Sequence, residues 1–234
     1  MGDDDIMEPE YLQEFENLIR LYPFLDIYHC RSKIINMHSE VTSFTPSWPE
    51  FETVYETMWH RIQNMRIQFI SDFMFRTETL MKQGGFYKMP LAWGSDDISV
   101  YRAIGTKGIA HTNNPVFNYR IHSRTISVSG SIDLKLEAIN REKEWLIDYL
   151  IDIPNKSTDK IIHRNLKTGI LKYIQRKKIR IISQSYNGRL VKQFIYWNFK
   201  KRTIDMKGIE LLYSVLEFLK HKKSEAISVA LRLS

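Results

Sequence analysis

A chain of 234 residues with 43% hydrophobic content can build one substantial core, or one domain with an appendage. Its single cysteine, Cys30, excludes an internal disulfide framework and makes a reducing compartment the default. No apolar run reaches the length of a membrane span, and the first residues lack a signal-peptide pattern.

The net charge of +7 conceals a split. Residues 155–234 hold 19 Lys and Arg against 5 Asp and Glu, whereas residues 1–154 hold 15 against 22. An acidic body of residues 1–154 thus carries a basic tail of residues 155–234, with a boundary near Asp152-Ile153-Pro154. Such a tail suits an anionic partner, either membrane lipid or nucleic acid.

The chain opens on Asp3-Asp4-Asp5, ahead of Pro9 and an apolar pattern of Leu12, Phe15, Leu18, Ile19 and Tyr22 at helical spacing. Three acids before a helix ordinarily form a solvated cap. They could equally present hard oxygen ligands to Mg²⁺ or Mn²⁺. Asp26 to Met37 is rich in β-formers and reads as one or two strands. Ser43 to Pro49 reads as loop, and Glu50 to Arg66 as a helix with an apolar stripe from Phe51 to Ile62. A second β-rich run follows over 67–76, then a short helix from Thr77 that Gly84-Gly85 would close.

Next comes Trp93-Gly94-Ser95-Asp96-Asp97 at the start of a helix running to about Thr106. Carboxylates are favoured at a helix N-terminus, so Ser95 or Asp96 can be an ordinary cap. A carboxylate held there can also serve as a general base. Two short strands are expected to flank a turn at Asn113-Asn114-Pro115. Beyond them lies a donor-rich segment, Arg120 to Gly130, which suits a surface loop or a diphosphate-binding lid. A helix is expected over 132–151, then amphipathic basic helices starting near Ile161, Leu190 and Ile209. Burial against the body is the ordinary fate of their apolar stripes, and contact with an anionic membrane is the other. The chain carries no zinc spacing, phosphate loop or nucleic-acid motif, so nucleic acid is not expected as a partner.

In this order and spacing the motifs resemble family 2 glycosyltransferases of the GT-A fold, over about residues 3–150. Asp3-Asp4-Asp5 followed by Pro9 resembles the family's metal-binding aspartates, although Gly2 stands where an aspartate often begins that motif. Gly84-Gly85-Phe86 and Trp93-Gly94-Ser95-Asp96-Asp97 resemble its acceptor region. Asn118-Tyr119-Arg120-Ile121-His122 with Ile126-Ser127 resembles the segment that closes the site in many bacterial members.

The resemblance implies an α/β fold: part of a GT-A mixed sheet, with strands near 26–37, 68–76 and 108–120, flanked by helices and followed by an α-helical tail. It implies transfer of a sugar of the hexose kind, with inversion, from a nucleotide-diphospho-sugar to a hydroxyl of a glycan or lipid-linked acceptor, as in bacterial-type surface polysaccharide synthesis. Asp97, with Asp96 second, would be the base. Asp3 and Asp5 would hold a divalent cation, Mn²⁺ or Mg²⁺. Arg120, His122 and Ser127 would bind the diphosphate, and Trp93 and Gly94 would meet the acceptor. The family places a nucleotide-binding half before the aspartates, so a truncated chain, inactive alone and prone to homo-oligomerise through its bare face, is expected. A cytoplasmic location with membrane contact through the tail follows. The competing expectation is a non-catalytic module that docks on anionic membrane or a protein partner.

Overall fold

The computed structural model describes residues 4–121, 130–152, 160–186 and 189–233. They form an α/β architecture with a mixed, open sheet of six strands and eight helices. At its centre two long strands run parallel, β2 (Ile27–Ile35) and β6 (Ile109–Arg120). Each is flanked on its outer side by two short antiparallel strands, one near each end. β3 (Val41–Phe44) pairs with the later half of β2, and β5 (Phe73–Phe75) with its start. β4 (Phe51–Glu52) pairs with the start of β6, and β1 (Ile6–Met7) with its end.

Side chains alternate along the central pair, so the two faces have separate cores. Tyr28, Cys30, Ala110 and Phe117 face α1 (Tyr11–Leu21), which contributes Tyr11, Phe15 and Leu18. Ile27 and Ile109 face a larger helical layer. That layer contains α2 (Val54–Ile62), α4 (Ser95–Ile104), α5 (Ile132–Asp152) and α6 (Lys160–Ser183), then α7 (Leu190–Lys200) and α8 (Gly208–Leu233). Its buried cluster runs without interruption from Ile27 to Leu211, across the expected boundary near residue 154. Much of the basic tail's apolar stripe is therefore spent on the body. No helix among the described residues is long and apolar enough to cross a membrane.

Several elements differ from their sequence patterns for identifiable reasons. The expected helix over 50–66 begins only at Val54, because Phe51-Glu52 pair with β6. Thr53 then caps it: its hydroxyl accepts from the Glu56 amide at 3.3 Å, and Glu56 accepts the Thr53 amide at 2.8 Å. Asn113-Asn114-Pro115 does not divide two strands. β6 continues through it, and the parallel register slips where Pro115, which has no N–H to give, lies against Arg31. In α1, Tyr11 replaces Leu12 and Ile19 in the buried stripe, since the helix rests on the sheet through Tyr11, Phe15 and Leu18 alone. The 67–76 run yields only three strand residues, after a 3-10 turn at Ile70–Asp72. The short helix α3 (Thr77–Lys82) ends as expected. Gly84 takes φ +79°, and the amides of Gly84 and Gly85 return to Met81 and Leu80 at 3.0 and 2.9 Å.

Candidate active site

Ligand sites in open α/β sheets gather at the carboxyl ends of parallel strands. Here that edge holds Tyr119 and Arg120, the last residues of β6. Arg120 is a clamp. Its backbone amide donates to Asp5 Oδ1 at 3.1 Å, and its Nε donates to the Asp4 carbonyl at 2.9 Å. The rest of the guanidinium holds the turn after β2, reaching the Asn36 carbonyl at 2.7 Å and Ser39 Oγ at 3.1 Å. Arg120 therefore fixes the N-terminal acids at the end of the sheet. Asp3, His122 and Ser127 lie outside the described residues.

The second acidic group starts α4. Gly94, not Ser95 or Asp96, is the residue before the helix, and its φ of +78° is a left-handed conformation that glycine adopts without strain. A Cβ added there would come within 3.3 Å of Glu142 Cδ in α5. The Ser95 hydroxyl is turned away to donate to the Tyr87 carbonyl. Asp96 and Asp97 then occupy the first turn, where the helix amides and dipole favour negative charge.

Their side chains diverge. Asp97 is 5% exposed and committed: Arg61 Nε of α2 lies 3.0 Å from both its oxygens, and Gln68 Nε2 donates to Oδ1 at 2.7 Å. Asp96 reaches solvent. The protein around it still removes much of its water, and with the neighbouring Asp97 charge this raises the Asp96 carboxyl to about 6, against the pull of Arg61.

Tyr119 joins the two groups. Its ring stacks on Phe69 at 3.4 Å between centroids. Burial raises its hydroxyl pKa first, and the charges of Asp5, Asp4, Asp72 and Asp96 raise it further. The N-terminal acids and Asp96 thus lie within electrostatic range of one phenol. Asp72, beneath Tyr119's partner Phe69, is fully buried. It accepts the Phe69 amide at 2.8 Å and the Ser32 hydroxyl, and burial moves its carboxyl up to about 7.

Trp93 is half-buried against the main core, with Lys135 Nζ 5.1 Å from the ring centre. Beside α4, Tyr87, Arg141, Glu144, Trp145 and Asp148 line a recess of about 430 Å³. Among the described residues no group of three His, Cys, Asp or Glu side chains is placed to hold a metal ion.

Sequence reasoning missed the supports. Arg61 and Gln68 decide which aspartate is available, and neither stands in a motif. Glu142 packs against Gly94 and is itself held by Tyr173 at 3.2 Å and by Lys177, both on α6. A tail without a chemical motif therefore buttresses the turn that presents Asp96. The only signal available beforehand was an apolar stripe with charges off it. No family model and no curated protein sequence matches the chain.

Proposed function

We propose that this chain is the acceptor-activating part of a sugar transferase of the GT-A kind, with Asp96 rather than Asp97 as general base. What supports it is that Arg120, next to Tyr119 at the end of β6, holds Asp5 and the Asp4 backbone there, while the exposed Asp96 at the start of α4 adds to the charges that raise the Tyr119 hydroxyl. Like charges gathered at one sheet edge cost folding energy, and ionisable groups with displaced pKa values cluster at functional sites. A base works best when its pKa lies near the operating pH, and a carboxyl at about 6 meets that condition better than an ordinary aspartate does.

Asp96 takes the proton from an acceptor hydroxyl. The oxygen bonds to the anomeric carbon as the carbon–oxygen bond to the nucleoside diphosphate breaks, and the diphosphate leaves with the electron pair. Attack opposite the leaving group inverts the centre. Asp97 keeps Arg61 in place beside the base and stays out of the chemistry. Arg120 holds Asp5 toward the donor side.

The resemblance implies Mg²⁺ or Mn²⁺, and the carboxylate oxygens of the N-terminal acids are the hard donors that these ions take. Among the described residues no group of three such side chains is placed to hold the ion, so it would also need ligands from the substrate. Asp5, with Asp3, would hold it, and when bound it neutralises charge on the leaving group. The recess lined by Tyr87, Trp145 and Asp148 offers the aromatic and polar edges that a glycan acceptor takes.

The test is release of UDP or GDP from nucleotide sugars with Mn²⁺ and a glycan acceptor. It is run on the chain as it stands and on the chain extended by whatever its reading frame encodes upstream. Transfer lost in Asp96→Asn supports the assignment. Transfer at the full rate in Asp96→Asn overturns the base. No transfer in either form, with no Mn²⁺ binding, overturns the function.

A further inference from the structure

α8 spends only one side on the core. Leu211 and Ser214 are buried, with Val215 and Phe218 partly so. On the outward side, Ile209, Leu212, Tyr213, Leu216 and Leu219 recur at three- and four-residue steps, and each is about half exposed. Continuing the same steps, the next outward residues are Lys220 and Lys223, both exposed. The stripe therefore changes along one face from aliphatic to cationic. The neighbouring α7 repeats the composition. Val191, Ile195 and Phe199 form its outer stripe, Phe199 is 82% exposed, and Lys192 sits beside them.

Monomeric proteins rarely leave contiguous apolar surface of this kind uncovered. Two features select the occupant. No described helix can span a bilayer, so membrane contact here means lying on the surface. The segment from 155 onward carries 19 cationic against 5 anionic side chains. A second copy docked face to face would set Lys220 and Lys223 against the partner's lysines if parallel, or against its aliphatic end if antiparallel, and neither pairs their charge. An anionic headgroup layer instead accepts the ammonium groups while the aliphatic stripe enters the acyl boundary.

We infer that the outward face of α8, with that of α7 beside it, docks the protein on an anionic lipid bilayer. The inference is independent of sugar transfer and would hold for a chain that does no chemistry.

The test is flotation of the full chain with phosphatidylcholine vesicles, with and without phosphatidylglycerol, at low and high salt. Binding to the anionic vesicles that weakens with salt is expected. Replacing Leu212, Leu216 and Leu219 together by Gln should weaken it by more than about tenfold. Lys220→Gln and Lys223→Gln should each cost roughly fivefold. Leu12→Gln with Leu21→Gln, exposed apolar residues of α1, should leave it unchanged, and circular dichroism confirms that each variant folds. Three results overturn the proposal: no binding, equal binding to neutral vesicles, or a dimer in vesicle-free sedimentation that the triple leucine variant dissolves.

Discussion

The two ends of the central β2–β6 pair use the same residue types to opposite effect. At the beginning of the strands, His29 and His111 lie side by side with rings 5.2 Å apart. Trp48 stacks on His29 at 3.7 Å, and the Arg66 guanidinium sits 4.0 Å over Trp48. Glu52 is the hub: it pairs with Arg66, with His60 Nδ1 at 2.7 Å, and lies 3.4 Å from His111 Nε2. Burial drives both histidines well below their usual pKa, so they are neutral. At the other end, acids converge on Tyr119 with one of them, Asp96, open to solvent. One end closes opposite charges on each other, and the other assembles like charges at the surface. The first arrangement is a scaffold, and the second is the one we propose as the working site.

The largest expected effect breaks the closed end. Glu52→Gln leaves Arg66 buried without its counter-charge, and losing one partner of a buried pair costs about 3–5 kcal/mol. Urea unfolding should show a loss of that size. An unchanged midpoint would mean that the network does not hold the strands.

Next in size is the division between the adjacent aspartates. Asp97→Asn strands Arg61, which is partly exposed, so a loss of about 2 kcal/mol is expected. Asp96→Asn should not lower the urea midpoint, and because burial and the Asp97 charge hold the folded Asp96 carboxyl at about 6, it should raise the midpoint slightly at neutral pH. Equal destabilisation by both would remove the distinction on which the choice of base rests.

Asp72 gives a smaller effect with a defined sign. Its folded carboxyl, at about 7, lies above the ordinary value of 3.8, so the native state binds the extra proton between those limits. Stability contributed by this group is full below about pH 4 and is lost as pH rises through about 7. Asp72→Asn should therefore flatten the pH dependence of unfolding over that window. At alkaline pH it should raise stability by about 1–2 kcal/mol, well inside the linkage limit.

The legible parts of the molecule were those set by local chemistry. Gly84-Gly85 ended a helix because a left-handed C-cap needs glycine, and the stretch rich in β-formers from Ile27 became a central strand. Asp96 and Asp97 were visible at a helix start, but the sequence pointed to Asp97 as the base until Arg61, 36 residues away, took that carboxylate. Asn113-Asn114-Pro115 carried a strong turn signal, and the parallel partner β2 overrode it by supplying a bulged register. The histidines show the same limit. His29 and His111 carry no local mark that they will meet in a dry core. What distance along the chain hides, namely which side chains meet, is what decides the role of each charged residue here.

The smallest predicted effect is the most direct measure of the open end. Tyr119 reports on two acid groups that are far apart in sequence, because Asp5 and Asp96 both raise its hydroxyl pKa. Asp5→Asn should lower that pKa, and Asp96→Asn should lower it as well, since each removes a negative charge that opposes the phenolate. The tyrosine can be followed by NMR with carbon-13 label at alkaline pH, with Tyr119→Phe identifying its signal. The measurement needs no donor, acceptor or metal, so it separates the geometry from the chemistry. If only one substitution moves the signal, the two acid groups do not share a space, and the sugar-transfer proposal loses its footing even while the fold stands. If both move it and neither transfer nor Mn²⁺ binding is found, the acids share a space but the sugar-transfer function is overturned.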